Sequence, residues 1–304
     1  VELDANEFRV GGSWENNATT SVDTSTVFFT ATSTSETVTD ASGTLFFNNL
    51  TFGETSGTAT WATADPLDIE GALVVDYGTL ARSSSTINLA GTLTTGANGF
   101  WSGVSTTTFD GNTGVLWTDN NSVSQDIGHA VIDGTVKSVT LASNVAASTV
   151  TIGADDTFSG GGAYTITVGG RWTNNNVFTA QTSLVDFATT SATIFVDAGA
   201  SSFYNFRVRA TSSALSFTET DLLITNDFTI ATGTVTMPSG TTTITGSFDN
   251  SGGVFAHNNG AVVLNSNSAE TITQSGTNFL NAFYNLSFTG NGSWSWTDVS
   301  ATTS

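Results

Sequence analysis

The sequence predicts an all-β chain wound as a parallel β-solenoid (β-helix), with coils of about 20 residues grouped in four repeats of about 79 residues. Three observations carry this: the composition, a short signature that returns at a fixed interval, and the division of that interval into near-equal quarters. Of the 304 residues 57 are Thr, charged residues make up only 11%, and 26 acidic side chains face 6 basic ones for a formal charge of −20. Thr, Ser, Gly, Asn, Val and Phe are strand and turn formers, whereas a helical protein needs Leu, Ala, Glu and Lys in quantity.

The signature is an aliphatic residue, a spacer, Gly, a small or polar residue and a large apolar one. It reads Val10-Gly11-Gly12-Ser13-Trp14, Leu89-Ala90-Gly91-Thr92-Leu93, Val168-Gly169-Gly170-Arg171-Trp172 and Ile244-Thr245-Gly246-Ser247-Phe248, with glycines stepping by 79, 79 and 76. A second phrase keeps the same interval: Phe47-Asn48-Asn49-Leu50-Thr51-Phe52, a degenerate Ile127-Gly128-His129-Ala130-Val131-Ile132, Phe203-Tyr204-Asn205-Phe206-Arg207-Val208 and Phe283-Tyr284-Asn285-Leu286-Ser287-Phe288. Positions 49, 129, 205 and 285 step by 80, 76 and 80. Strand-like starts near Phe203, Leu222, Thr243, Val262 and Phe283 then step by 19, 21, 19 and 21.

A unit of about 20 residues with two or three short strands has no second layer of its own and must stack on a neighbour. Parallel pairing of equivalent strands gives roughly 15 coils and, at about 4.8 Å per coil, a rod on the order of 70 Å. The repeat units run approximately 1–90, 91–169, 170–245 and 246–304 within one solenoid spanning 1–304. Alternation sends Trp14, Phe29, Leu50, Phe52, Ile69, Val168, Trp172, Phe187, Phe206, Ile224, Ile230, Phe248, Leu286 and Phe288 inward. Stacked Lys or Glu would set like charges about 5 Å apart, while stacked Thr and Asn bond along the axis. Only two prolines occur, as ladders that need every strand N–H require. The rival architecture is a string of antiparallel sandwiches of about 79 residues, which the even strand spacing and the missing linkers disfavour.

Composition excludes several functions. Six basic residues supply no stripe for nucleic acid, no stretch of about 20 apolar residues spans a bilayer, and without cysteine there is neither a disulfide scaffold nor a thiolate metal site. No HExxH, GxSxG or P-loop occurs; the two histidines, His129 and His257, are 128 residues apart. No catalytic, cofactor or metal residue is assigned. Asp65, Asp68 and Glu70 are close in sequence, as are Asp155 and Asp156, with Asp155-Asp156 read as a turn cap. Arg207 and Arg209 form the one basic pair and alternate with Val208 on an exposed strand face.

Asn17, Asn120 and Asn291 lie in acceptor sequons in loop-like contexts and are the glycosylation candidates. Asn49, His129, Asn205 and Asn285 recur once per long repeat and read as corner positions whose side chains bond the backbone. Regular Thr-x-Thr arrays, as an ice-binding face needs, are not present once per coil.

The phrases Val-Gly-Gly-Ser-Trp before Asn, and Phe-Tyr-Asn-Leu-x-Phe before Gly-x-Gly-Ser-Trp, resemble the repeats of very long bacterial or archaeal surface proteins, the filamentous-haemagglutinin-like and other adhesin β-helices. The resemblance implies a parallel β-helix with a surface role and carries over no catalytic residue. Residue 1 is Val, as expected of a processed product or a segment of something longer. Trp296 aligns with Trp61 at an offset of 235, so the chain stops about half a coil short of its own next period. The expectation is a non-catalytic extracellular or cell-surface structural protein, part of a fibre, sheath or adhesin. It would stack head to tail, with surface glycans as further partners and no nucleic-acid or membrane-inserted role. The alternative is a β-helix that binds or cleaves polysaccharide.

Overall fold

A computed structural model describes residues 6–17, 24–41, 43–190, 193–274 and 282–298. Among them every regular element is a β-strand, and the strands pair in parallel with those one coil before and after, which makes the fold a parallel β-solenoid. The chain divides into two compact units, Val1–Ser159 and Gly160–Ser304.

The first unit has three strand faces. One runs Glu7–Val10, Thr26–Phe29, Asn49–Phe52 and on into the first part of Leu73–Arg82. The second runs Trp14–Asn16, Ser35–Asp40, Thr60–Thr63 and the last part of Leu73–Arg82. The third runs Leu45–Phe47, Leu67–Ile69, Ile87–Leu89, Thr106–Phe109, His129–Ile132 and Thr149–Ile152. Because side chains alternate, register turns each strand position into a column along the axis. On the third face Phe47, Ile69, Leu89, Phe109, Ile132 and Ile152 form one inward column, all fully buried. Asp68, Asn88 and Thr108 stand in register on the opposite side of the same strands.

The second unit repeats the logic with aromatics. Ile166, Val185, Phe206, Phe228, Phe248 and Ile272 are successive partners in one buried column, and Trp296, next in register, is 51% exposed. Phe206 lies 5.7 Å from Phe228, which lies 5.6 Å from Phe248, so the rings meet edge or tilt rather than face to face.

Coil length varies. Partners are 19 residues apart from Glu7 to Thr26 and 25 from Ser35 to Thr60, and centre near 21, as from Leu184 to Asn205. Extra residues leave at the corners, so a longer coil keeps its register. The spacing of about 20 read from the sequence is therefore close to the short limit.

The register does not reproduce a unit of 79 residues. Asn49 pairs with Thr26 on the first face, whereas its counterpart His129 pairs with Thr106 and Thr149 on the third. The interval is not a whole number of coils, so successive motif copies rotate onto different faces.

Eleven of the residues expected inside are fully buried: Phe29, Leu50, Phe52, Ile69, Val168, Trp172, Phe187, Phe206, Ile224, Ile230 and Phe248. Three differ. Trp14 and Leu286 are half-buried, and Phe288 is 50% exposed. Phe288 keeps the inward register, opposite the buried Leu264. Among the described residues, however, its strand Asn285–Thr289 is covered by a neighbour on one side only.

Candidate functional site

Ionisable side chains are so few that the places where they meet can be taken one by one. The first is on the third face of the first unit. Asp68 stands in the outward column, while Glu70 and Asp110 follow the strands Leu67–Ile69 and Thr106–Phe109, their N–H groups donating to Phe47 O and Leu89 O. Ala90 occupies the rung between them, so Glu70 and Asp110 are two strand spacings apart, about 9.6 Å along the axis. Lys137 is buried; its Nζ donates to Ala90 O and its backbone N–H to Asp156 Oδ1 at 2.6 Å. Burial pushes the Asp68 carboxyl up, helped by the charges of Asp110 and Glu70. Burial also raises Asp110, with Lys137 pulling the other way and Glu70 adding to the rise. Lys137 is lowered by burial against the attraction of Asp110 and Asp156.

The second place is Arg82, which fills an inward slot of the second face opposite Thr63. It donates to Thr107 Oγ1 at 2.9 Å and to Ile127 O at 2.5 Å and lies 4.9 Å from the Trp101 ring centre. Burial brings its pKa down to about 10, opposed by Asp126. These contacts hold the cation inside the core through its two terminal nitrogens, while Nε has no partner among the described residues; neither Arg82 nor Lys137 is free to meet a ligand.

The third place is in the second unit, at the basic pair. Leu184–Phe187 pairs with the start of Asn205–Phe217 so that Asp186 faces Arg207. Arg207 forks onto the carboxylate, Nε to Oδ1 at 3.1 Å and Nη2 to Oδ2 at 2.7 Å. Arg209 donates from Nε to both oxygens, at 3.1 and 3.0 Å, and from Nη2 to Oδ2. Asp186 is thereby fully covered, while the two arginine side chains stay 35% and 47% exposed. Burial alone would raise the Asp186 carboxyl; the hydrogen bonds and charges of Arg207 and Arg209 outweigh it and hold it below the usual carboxylate range. The sequence reading missed Asp186. The available signal was its place between Val185 and Phe187, 21 residues or one coil ahead of Arg207.

Asn49 Oδ1 accepts the Ala72 N–H at 2.8 Å, and Asn205 Oδ1 accepts the Asp227 N–H at 3.2 Å and Asn226 Nδ2 at 2.8 Å. His129 Nδ1 meets Thr149 Oγ1 at 2.9 Å, and Asn285 opens its strand opposite Ala261. Each of the four begins a strand. Asp156, with a bond to the Gly134 N–H at 3.3 Å besides that to Lys137, ties its turn to the coil before it. Asn17, Asn120 and Asn291 are all exposed; Thr19, which completes the first sequon, lies outside the described residues. Among the described residues no group of three or more His, Asp or Glu is placed to hold a metal ion.

These titrations set an expected pH dependence. Asp68 and Asp110 have raised folded-state values, so the folded chain takes up protons before the unfolded one and gains stability as the pH falls through those values. Asp186 is depressed, so its contribution holds above the ordinary carboxylate range and is lost as the pH falls through its lowered value. With −20 overall repulsion relaxing in the same direction, the melting temperature rises from pH 7 toward mild acid and drops only in strong acid. Asp68→Asn with Asp110→Asn flattens the rise. A melting temperature that falls steadily from pH 7 downward contradicts this assignment.

No family profile, no curated protein and no solved structure matches the chain, so the functional reading rests on its own residues.

Proposed function

We propose that this β-solenoid is a non-catalytic structural protein of the cell exterior, a module or subunit of a surface fibre, sheath or adhesin whose copies stack head to tail. One observation carries the reading. Among the described residues, the strands Glu7–Val10 and Trp14–Asn16 pair on one side only, as do Asn285–Thr289 and Ser293–Asp298. Beside these open ladders stand Phe8, Tyr284, Phe288 and Trp296, between 42% and 57% exposed. An unpaired edge with an apolar margin is a template for another strand. Surface glycans are the further partner class; separately, the exposed Asn17, Asn120 and Asn291 would carry covalent N-linked sugars in a host that modifies sequons. Among the described residues no helix is long and apolar enough to cross a bilayer. Negative-stain imaging of the purified chain is expected to reveal filaments, shortened in Trp296→Glu. Discrete particles at every concentration, alike in both proteins, overturn the stacking.

A second reading, a polysaccharide-cleaving β-helix, is favoured by Asp68 and Asp110, whose carboxyls burial raises on one side of the same sheet. A carboxyl group held above its usual range is suited to protonate the leaving oxygen of a glycosidic bond. Release of reducing ends from a panel of acidic and neutral polysaccharides, abolished by Asp110→Asn, would replace the first reading with this one. No release from any of them leaves the structural role standing.

A further inference from the structure

We propose that the Arg207–Asp186–Arg209 cluster binds the carboxylate of a uronic-acid sugar, with the sugar ring lodged in the threonine-lined hollow beside Arg209. This gives a chemical class to the glycan partner named above, but it does not depend on whether copies stack, and the two are read by separate experiments.

Charge provides the first argument. Two guanidinium groups share one carboxylate, which leaves one positive charge in excess on a chain of −20. The other four basic residues are engaged differently. Arg9 pairs with Glu7 and Glu54, Arg82 and Lys137 are buried, and Arg171 lies 5.2 Å from the Phe195 ring centre. Among the described residues this is the one place where two exposed cations converge.

Geometry supplies the second. Asp186 holds Arg207 and Arg209 through Nε and Nη2 only; the Nη1 groups have no hydrogen-bond partner among the described residues. The guanidinium planes are thus fixed in advance, and ordering them costs an incoming ligand little. A carboxylate, planar and singly charged, matches both the donors and the excess charge, whereas a phosphate dianion exceeds it. The ladder shifts register on both sides of Arg209, a bulge of the kind that re-aims a side chain.

Beside Arg209 there is room for a sugar ring. Ala188, Thr189, Thr190, Arg209 and Thr211 line a hollow of about 380 Å³. Threonine hydroxyls suit the hydroxyl groups of a sugar ring, and the Ala188 methyl suits its C–H face. Farther along the strand register, Thr229 follows Arg207, which extends the polar track toward the next coil.

The test is calorimetric titration of the full chain with trigalacturonate, with the neutral galactotriose, with acetate and with inorganic phosphate. Trigalacturonate is expected to bind, and galactotriose at least about tenfold more weakly. Arg209→Gln and Arg207→Gln should each lose about tenfold, as removal of a charged donor from an anion does. Asp186→Asn should tighten binding, because the built-in competitor for the two cations is gone. Circular dichroism checks each variant; if a Gln variant does not fold, Arg209→Lys, which keeps the charge and loses the fork, takes its place with a smaller loss. Equal affinity for the charged and neutral trisaccharides, or no change in Arg209→Gln, overturns the site. Acetate or phosphate binding as tightly as trigalacturonate overturns the assignment to a sugar.

Discussion

Phe206→Ala is expected to lower the stability of the chain by about 3–5 kcal/mol, near the top of the range for a single core truncation. Phe206 is 1% exposed, pairs with Val185 on one side and Phe228 on the other, and touches Phe187, Phe203, Phe217 and Phe228 at ring-centre distances of 5.3, 4.8, 5.4 and 5.7 Å. A solenoid core is narrow, so these rings have no second layer to collapse into the cavity. The loss spreads to both neighbouring coils, since each depends on the next for its lid. Urea unfolding followed by circular dichroism measures it, with Phe46→Ala, on the exposed side of its strand, as the near-neutral companion. A Phe206→Ala chain that unfolds within 1 kcal/mol of wild type would mean that the column is not continuous.

Gly91→Ala is expected to destabilise by at least the roughly 1–3 kcal/mol of ordinary overpacking. A Cβ at Gly91 would stand 2.0 Å from Gly71 O and 2.3 Å from Gly71 C, and neither atom can move without parting the ladder. A Cβ at Gly71 would in turn stand 2.3 Å from Asn49 Oδ1, so at one corner of the first unit successive glycines let the next coil close. Gly12 occupies the same place in the sequence signature, yet a Cβ there would meet only Glu36 Oε2, at an ordinary 3.8 Å. Gly12→Ala should therefore leave the melting temperature unchanged while Gly91→Ala lowers it. If both act alike, the signature glycine serves the backbone of its own coil and not the approach of its neighbour.

These two residues show what the sequence made legible and what it hid. Alternation of apolar and polar residues was enough to send Phe206 and Ile69 inward, because a parallel ladder fixes side-chain direction without reference to distant contacts. The signature around Gly91 revealed that coils recur, but not how many residues each corner sheds. Corner loops carry no periodic pattern, so the motif interval could be read without revealing that Asn49 and His129 land on different faces. Exposure of Phe288 depends on what covers the coil, which no local pattern records. At the candidate site the two arginines were visible as a pair, while Asp186 was hidden by its apolar flanks Val185 and Phe187. A polar residue between two core residues looks ordinary until the neighbouring coil is laid against it.

The direction of the inter-coil bonds has a mechanical consequence. In each unit the ladders join one coil to the next, so their N–H to O=C bonds run along the stacking direction. Tension in that direction pulls on them lengthwise, and the coil with the weakest lid yields first. Each surrendered coil of about 21 residues, as between Leu184 and Asn205, releases on the order of 70 Å of extended chain. The molecule thus lengthens under load in discrete instalments while the remaining coils keep their pairing.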